Sequence, residues 1–165
     1  MRPYDVKLVY KGSALSTVRL ELVHDEIRAV ANPRHVMSPN IVTLFVSLGL
    51  PEPEPVAILA SEYQFAQKLH ACSTPNSQGT NDRAHDLVDL QLLEEIDPPD
   101  LRQLDEVGRR IFSYRGTTVW PPTVRAWPHW DDLYAAAAEG LGVRPLEEAV
   151  EWANAFVVRV VEAGR

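Results

Sequence analysis

The sequence predicts an α+β fold: an N-terminal β-hairpin and short strands, followed by a mostly helical body of about five helices. Three observations lead there. Apolar residues alternate with polar ones only in the first part of the chain. From Ser61 onward the apolar spacing is that of helices. The chain has 165 residues, 45 % apolar and 24 % charged, the size and composition of a domain that buries a real core. The expected division is residues 1–60 for the strands and 61–165 for the helical region, joined in one compact unit.

The N-terminal strands come first. Val6, Leu8 and Tyr10 share one face of a strand from Asp5 to Tyr10, and Val18, Leu20 and Leu22 share one face of a strand from Thr17 to Val23. The six residues between, Lys11 to Ser16, read as the hairpin loop. The second strand places Arg19 and Glu21 side by side on its other face. Ile41 to Leu50 is apolar and fits either a strand or a short buried helix. Pro51-Glu52-Pro53-Glu54-Pro55 is a stiff extended connector, and Val56 to Leu59 reads as a short buried strand.

The helices follow. Ser61-Glu62-Tyr63-Gln64 is a capping-box pattern, so a helix is expected from Ser61 to about Cys72. Ser73 to Asp82 is polar, with Pro and Gly, and reads as a mobile loop. A second helix runs from near Arg83 to about Ile96, with Leu87, Val88, Leu90, Leu92 and Leu93 forming its apolar stripe. Asp97-Pro98-Pro99 ends it and opens a third, with Asp97 as cap and Pro98 in the first turn. Leu101, Leu104, Val107 and Ile111 give that helix its buried face. Tyr114 to Pro128 is irregular and holds Trp120 and Trp127, which are expected to pack across the helices. A short helix from about Trp130 to Glu139 is stopped by Gly140 and Gly142. The last helix begins after Arg144-Pro145, with Leu146, Ala149, Val150, Ala153, Phe156, Val157 and Val160 in helical register.

Composition excludes several classes. The apolar run at Ile41 to Leu50 is far shorter than the ~20 residues of a membrane span. The first residues carry no secretory signal, and a single cysteine, Cys72, rules out an internal disulfide framework. A cytoplasmic protein is expected. The formal net charge of −7 disfavours coating an extended nucleic acid. The five histidines, His24, His35, His70, His85 and His129, have no metal-ligand spacing. No Gly-rich phosphate loop and no Ser-His-Asp arrangement occurs.

One group of charges stands apart. The basic residues are thirteen Arg and only three Lys, and two of those Lys lie in the hairpin. The third, Lys68, is in mid-helix at the edge of the Phe65, Ala66, Leu69 face. Asp86 and Asp89 share a face of the next helix, with Arg83 one turn earlier. Spacing alone is equally that of a snorkelling lysine and a solvated ion pair.

Taken together, Ala66-Gln67-Lys68-Leu69-His70-Ala71, a polar loop, and Arg83-Ala84-His85-Asp86-Leu87-Val88-Asp89-Leu90 resemble the AbiEii/AbiGii nucleotidyltransferase toxins, relatives of the polymerase β-like transferases. Members carry Ala-Glu-Lys-Leu-x-Ala and then Arg-x-x-Asp-Leu-x-Asp-Leu. Gln67 here stands where Glu is usual. Arg19-Leu20-Glu21 matches the basic-x-acidic pattern of an early strand. The resemblance implies that residues 1–60 are a remnant of the nucleotidyltransferase sheet. It implies nucleotide contacts for Lys68, Arg83 and Arg19, and catalytic roles for Lys68, Asp86, Asp89 and Glu21. Asp86 would orient Lys68 or activate the acceptor, and Asp89 would support the helix or share that role. Glu21 would be an accessory carboxylate to Mg²⁺. It implies NTP and Mg²⁺ at a complete site, and a toxin–antitoxin or abortive-infection setting.

The chain departs from the family at its start. Members carry Gly-Ser followed about a dozen residues later by Asp-x-Asp, which grips the triphosphate and the metal. Gly12-Ser13 is followed by no such pair, and Asp25-Glu26 are adjacent, so they cannot share a strand face. The expectation is the later portion of a full-length member, inactive alone and holding neither Mg²⁺ nor NTP tightly. Bare strand edges invite pairing with an antitoxin or a second copy. The alternative is a non-catalytic module that binds an antitoxin, a nucleotide or another protein.

Overall fold

A computed structural model describes residues 2–22, 25–27 and 33–165. It has the expected α+β architecture, with two antiparallel strand pairs followed by helices. His24, considered above as a ligand, lies outside the described residues, as does Val23.

The first hairpin is tighter and longer than the alternation predicts. Strand β1 (Arg2–Tyr10) pairs with β2 (Ser13–Leu22), and only Lys11 and Gly12 turn the chain. Their φ values are 48° and 80°. Positive φ at both central residues matches the right-handed twist of the flanking strands. Ser13 to Ser16 therefore join the ladder, because main-chain pairing is indifferent to side-chain polarity. Leu15 is the extra residue of a bulge, since Leu8 faces Ser16 while Val9 faces Ala14. Tyr4, Val6, Leu8, Val18, Leu20 and Leu22 form an apolar face that stays exposed.

The second pair is short. Strand β3 (Arg34–Val36) runs antiparallel to β4 (Val56–Ile58), with helix α1 (Pro39–Ser47) between them. The apolar run beginning at Ile41 is thus mostly helix, entered through Pro39 in the first turn. Neither α1 nor β4 is buried as expected.

The helical body holds the core. It comprises α2 (Ser61–Ser73), α3 (Ala84–Ile96), α4 (Leu101–Arg115), α5 (Trp130–Ala138) and α6 (Leu146–Ala163). Helix α2 packs on α3 and α4, α3 packs also on α5 and α6, and α4 packs on α6. Phe65, Leu69, Leu87, Leu90, Leu104, Ile111, Trp130 and Phe156 fill the interior. The rings of Phe65 and Phe156 stack with centroids 5.3 Å apart. The irregular segment packs across the helices as expected. Trp120 lies over Gly108 and donates its indole N–H to Asp105 at 2.8 Å.

Two helix starts differ from their sequence signals. Ser61 is the first helical residue, Ala60 is the cap, and no side chain closes a capping box. Gln64 instead donates to the Leu59 carbonyl at 2.6 Å, because Ser61 is drawn inward and buried. Asp100, not Asp97, caps α4 by accepting from the Gln103 N–H at 2.9 Å. Asp97 closes α3 and pairs with Arg34. Among the described residues, no helix is long and apolar enough to cross a membrane.

Candidate functional site

The site forms where the end of α2 is tied to the start of α3. Asn81 makes that tie and is buried at 1 % exposure. Its amide donates to the carbonyls of Ala71 and Thr74 at 2.8 and 2.7 Å. Its side-chain oxygen accepts the Arg83 N–H at 2.7 Å, and its own carbonyl accepts the Trp130 indole N–H at 2.7 Å. A helix start needs partners for its free N–H groups, and Asn81 supplies one from outside the helix. The polar stretch from Ser73 to Asp82 is therefore a hydrogen-bonded connector. Asn76 organises its middle by accepting from Gln78 and Thr80 N–H groups at 2.9 and 3.1 Å.

This tie brings the motif charges together. Lys68 donates to Asp89 Oδ2 at 2.6 Å and to Asp86 Oδ1 at 3.1 Å. The other Asp86 oxygen accepts from Arg83 Nε at 2.7 Å. His85 lies 3.5 Å from the same oxygen. The Asp86 side chain is 3 % exposed, against 41 % for Asp89. Burial disfavours the Lys68 ammonium, but the hydrogen bond to Asp89 and the charge of Asp86 outweigh it, and the lysine pKa is raised. Lys68 is a fixed cation with one of its three N–H donors left over.

A second cluster, absent from the motif, borders the first. Arg115, in the last turn of α4, donates through Nε and Nη2 to Glu26 Oε2 at 3.0 and 2.7 Å. Its Nη1 lies 3.2 Å from His70 Nδ1. Guanidinium cannot accept a hydrogen bond, so His70 Nδ1 must be the acceptor. The neutral ring then carries its proton on Nε2 and donates it to Thr117 Oγ1 at 3.0 Å. Burial, followed by the charge of Arg115, lowers the His70 pKa from 6.5 to about 4. With both ring nitrogens occupied within the protein, His70 is not free to meet a phosphate.

Lys68, Arg83 and Arg115 line one open cavity of about 570 Å³, with Asp86, Gln64, Gln67, Ala71, Ile58 and Leu59. Arg19 and Glu21 are not in it. They sit 4.0 Å apart on the exposed face of β2, and among the described residues no helix packs closely on that hairpin. Cys72 is fully buried and its thiol pKa is pushed well up by that burial, so it offers no nucleophile. Sequence reasoning missed Arg115, Asn81 and Gln64. Arg115 is adjacent to Gly116 at a helix end, which marks a helix stop and carries no hint of its 45-residue reach to His70.

Helices α2, α3 and α4 thus bring three cations and one buried carboxylate, Asp86, to an open cavity that the end of β4 also lines. The sequence matches the family described as nucleotidyl transferase AbiEii toxin, type IV toxin–antitoxin system, over residues 3–156, and the chain belongs to that family. No curated protein matches it.

The family chemistry implies Mg²⁺, and the residues present do not fit it. Both Asp86 oxygens are already held by cations. No group of three or more His, Cys, Asp or Glu side chains among the described residues is arranged to hold a metal ion.

Proposed function

We propose that this cavity binds the phosphates of a nucleoside triphosphate and supplies the phosphate-facing part of a nucleotidyl transfer site. The observation that carries the reading is Lys68, fixed by Asp86 and Asp89 at the cavity wall with a donor to spare. Lys68 and Arg83 contact phosphate oxygens as charge-assisted donors. Asp86, buried between two cations, orients Lys68 and is not free to move a proton. Asp89 is the exposed partner and takes the proton of the acceptor hydroxyl. In the transfer, the acceptor oxygen bonds to the α-phosphorus, the bond to the bridging oxygen breaks, and pyrophosphate leaves with that electron pair. Arg19 and Glu21 lie outside the cavity, and the reading assigns them no contact with the triphosphate.

The metal-binding carboxylate pair of this chemistry is not among the residues of the cavity, so the chain alone is expected to bind and not to transfer. Titration of ATP·Mg²⁺ into the chain and into Lys68→Met tests this. A Kd raised about tenfold or more by the substitution is expected from one lost charge-assisted contact. Equal Kd values would remove Lys68 from the site. Robust nucleotide transfer by this chain, abolished by Lys68→Met, would overturn the expected inactivity.

A second reading is a binding role in a toxin–antitoxin pair, in the cytoplasm. What supports it is the family's type IV setting and the exposed apolar face of Tyr4, Val6, Leu8, Val18 and Leu20. Co-purification with the antitoxin, lost when Val6 and Val18 are both changed to Lys, is the expected result. Undiminished co-purification would move the contact elsewhere.

A further inference from the structure

We propose that Arg115 is a further phosphate ligand of this cavity, and that neutral His70 is the positioning residue that aims it. The inference rests on the triphosphate reading above and extends it to a second helix, α4, and to residues outside the family motif.

Arg115 has five N–H donors, of which Glu26 takes two and His70 takes one. Two remain on a residue that lines the cavity. Lys68 retains one donor and Arg83, bonded through Nε alone, retains four. The carboxylates and cations of the two clusters balance: Asp86, Asp89 and Glu26 against Lys68, Arg83 and Arg115. The cavity therefore offers surplus N–H donors without a strong net charge. Such a lining binds an oxyanion by directed hydrogen bonds, for which the planar guanidinium is better suited than ammonium.

Arg115 is the last residue of α4 and precedes Gly116, which turns the chain with φ at 63°. A long side chain at a helix end has many rotamers, and ordering it on binding costs conformational entropy. Here that ordering is made in advance. Glu26 holds one edge of the guanidinium and His70 Nδ1 holds another nitrogen. His70 is itself fixed by Thr117 and by the edge of the Phe112 ring, with centroids 4.9 Å apart. A protonated imidazole would present N–H to Arg115 and break the contact, so the buried, neutral ring is the form that can aim it. Ala at position 70 or a ring without Nδ1 would leave Arg115 with one anchor.

Inorganic triphosphate is the probe, titrated calorimetrically into the full chain at neutral pH. The variants are Arg115→Ala, Arg115→Gln, His70→Leu, His70→Asn and, as control, Lys68→Met, each checked by thermal unfolding to be fully folded at the titration temperature. Arg115→Gln keeps a hydrogen bond to Glu26 and guards against misfolding of the alanine variant. Both Arg115 variants are expected to weaken binding about tenfold or more. His70→Leu should weaken it similarly, while His70→Asn, whose side-chain oxygen can accept from Arg115 in place of Nδ1, should stay within about threefold of wild type. If Lys68→Met loses binding and both Arg115 variants bind like wild type, Arg115 is no ligand and only this inference fails. If His70→Asn is as weak as His70→Leu, the aiming role of His70 is wrong. If the wild-type chain does not bind triphosphate, the triphosphate reading of the cavity fails and this inference falls with it.

Discussion

Asp86 faces Lys68 across the gap between two helices, with 3.1 Å between Oδ1 and Nζ, and the carboxylate is almost wholly buried. Its second oxygen is bonded to Arg83. The two partners of this pair are therefore unequal. Removing Asp86 leaves the half-buried lysine with Asp89 alone and releases Arg83, whereas removing Lys68 leaves Asp86 paired with Arg83.

This asymmetry gives the first prediction. Asp86→Asn should lower the unfolding free energy by about 2–4 kcal/mol, below or within the range for a broken buried pair because Lys68 keeps Asp89. Lys68→Met should cost clearly less, about 1 kcal/mol, since its apolar stem is conserved. Urea denaturation of the two variants checks the order, and a larger loss for Lys68→Met would contradict it.

A second prediction concerns acid. His70 titrates near 6.5 when unfolded and at about 4 when folded, because burial and Arg115 disfavour its charged form. The unfolded chain thus binds this proton first as pH falls. The stability contributed by keeping His70 neutral is present above pH 6.5 and is lost as pH drops toward 4, up to about 3 kcal/mol at ~1.4 kcal/mol per unit. Unfolding curves of wild type and His70→Asn measured between pH 7 and 4 should differ in slope, with the wild type falling more steeply. Parallel curves would show that His70 is not the group responsible.

Asn81 supports the third. Three hydrogen bonds from one buried amide join α2, the connector and α3. Asn81→Ala leaves two carbonyls and one N–H without that partner, so a loss of about 2–3 kcal/mol is expected. Because Arg83 hangs from the same amide, triphosphate affinity should fall as well. Hydrogen exchange at the Arg83 amide, faster in the variant, reports the local cause.

The fourth concerns packing. A Cβ at Gly108 would lie 2.6 Å from ring carbons of Trp120. Gly108→Ala would gain ~1 kcal/mol in helix propensity at an open site. Here it should instead destabilise by about 1–3 kcal/mol, because the ring is held by Asp105 and cannot withdraw. A rise in the thermal midpoint would mean that Trp120 shifts freely.

The sequence by itself determined the fold class, the order of the long helices and the grouping of Lys68, Arg83, Asp86 and Asp89. Those follow from local periodicity and from a short motif whose spacing is intrinsic to two helices. It also placed Trp120 and Trp127 in a packing role. Helix starts at Ser61 and Asp97 were misread, since a capping pattern states what a hydroxyl or carboxylate can do and not whether burial or an arginine from another strand claims it first. The burial of Val56 and Ile41 was likewise misjudged, because apolar character shows a preference for an interior without supplying the partner. Arg115 joined the cavity, and His70 met Arg115, only in three dimensions. Their contact joins α4 to α2, and no local pattern records which helix ends meet. The tertiary structure also decided that Asp86 is buried and Asp89 exposed, a difference that two aspartates on one helix face do not carry in their spacing.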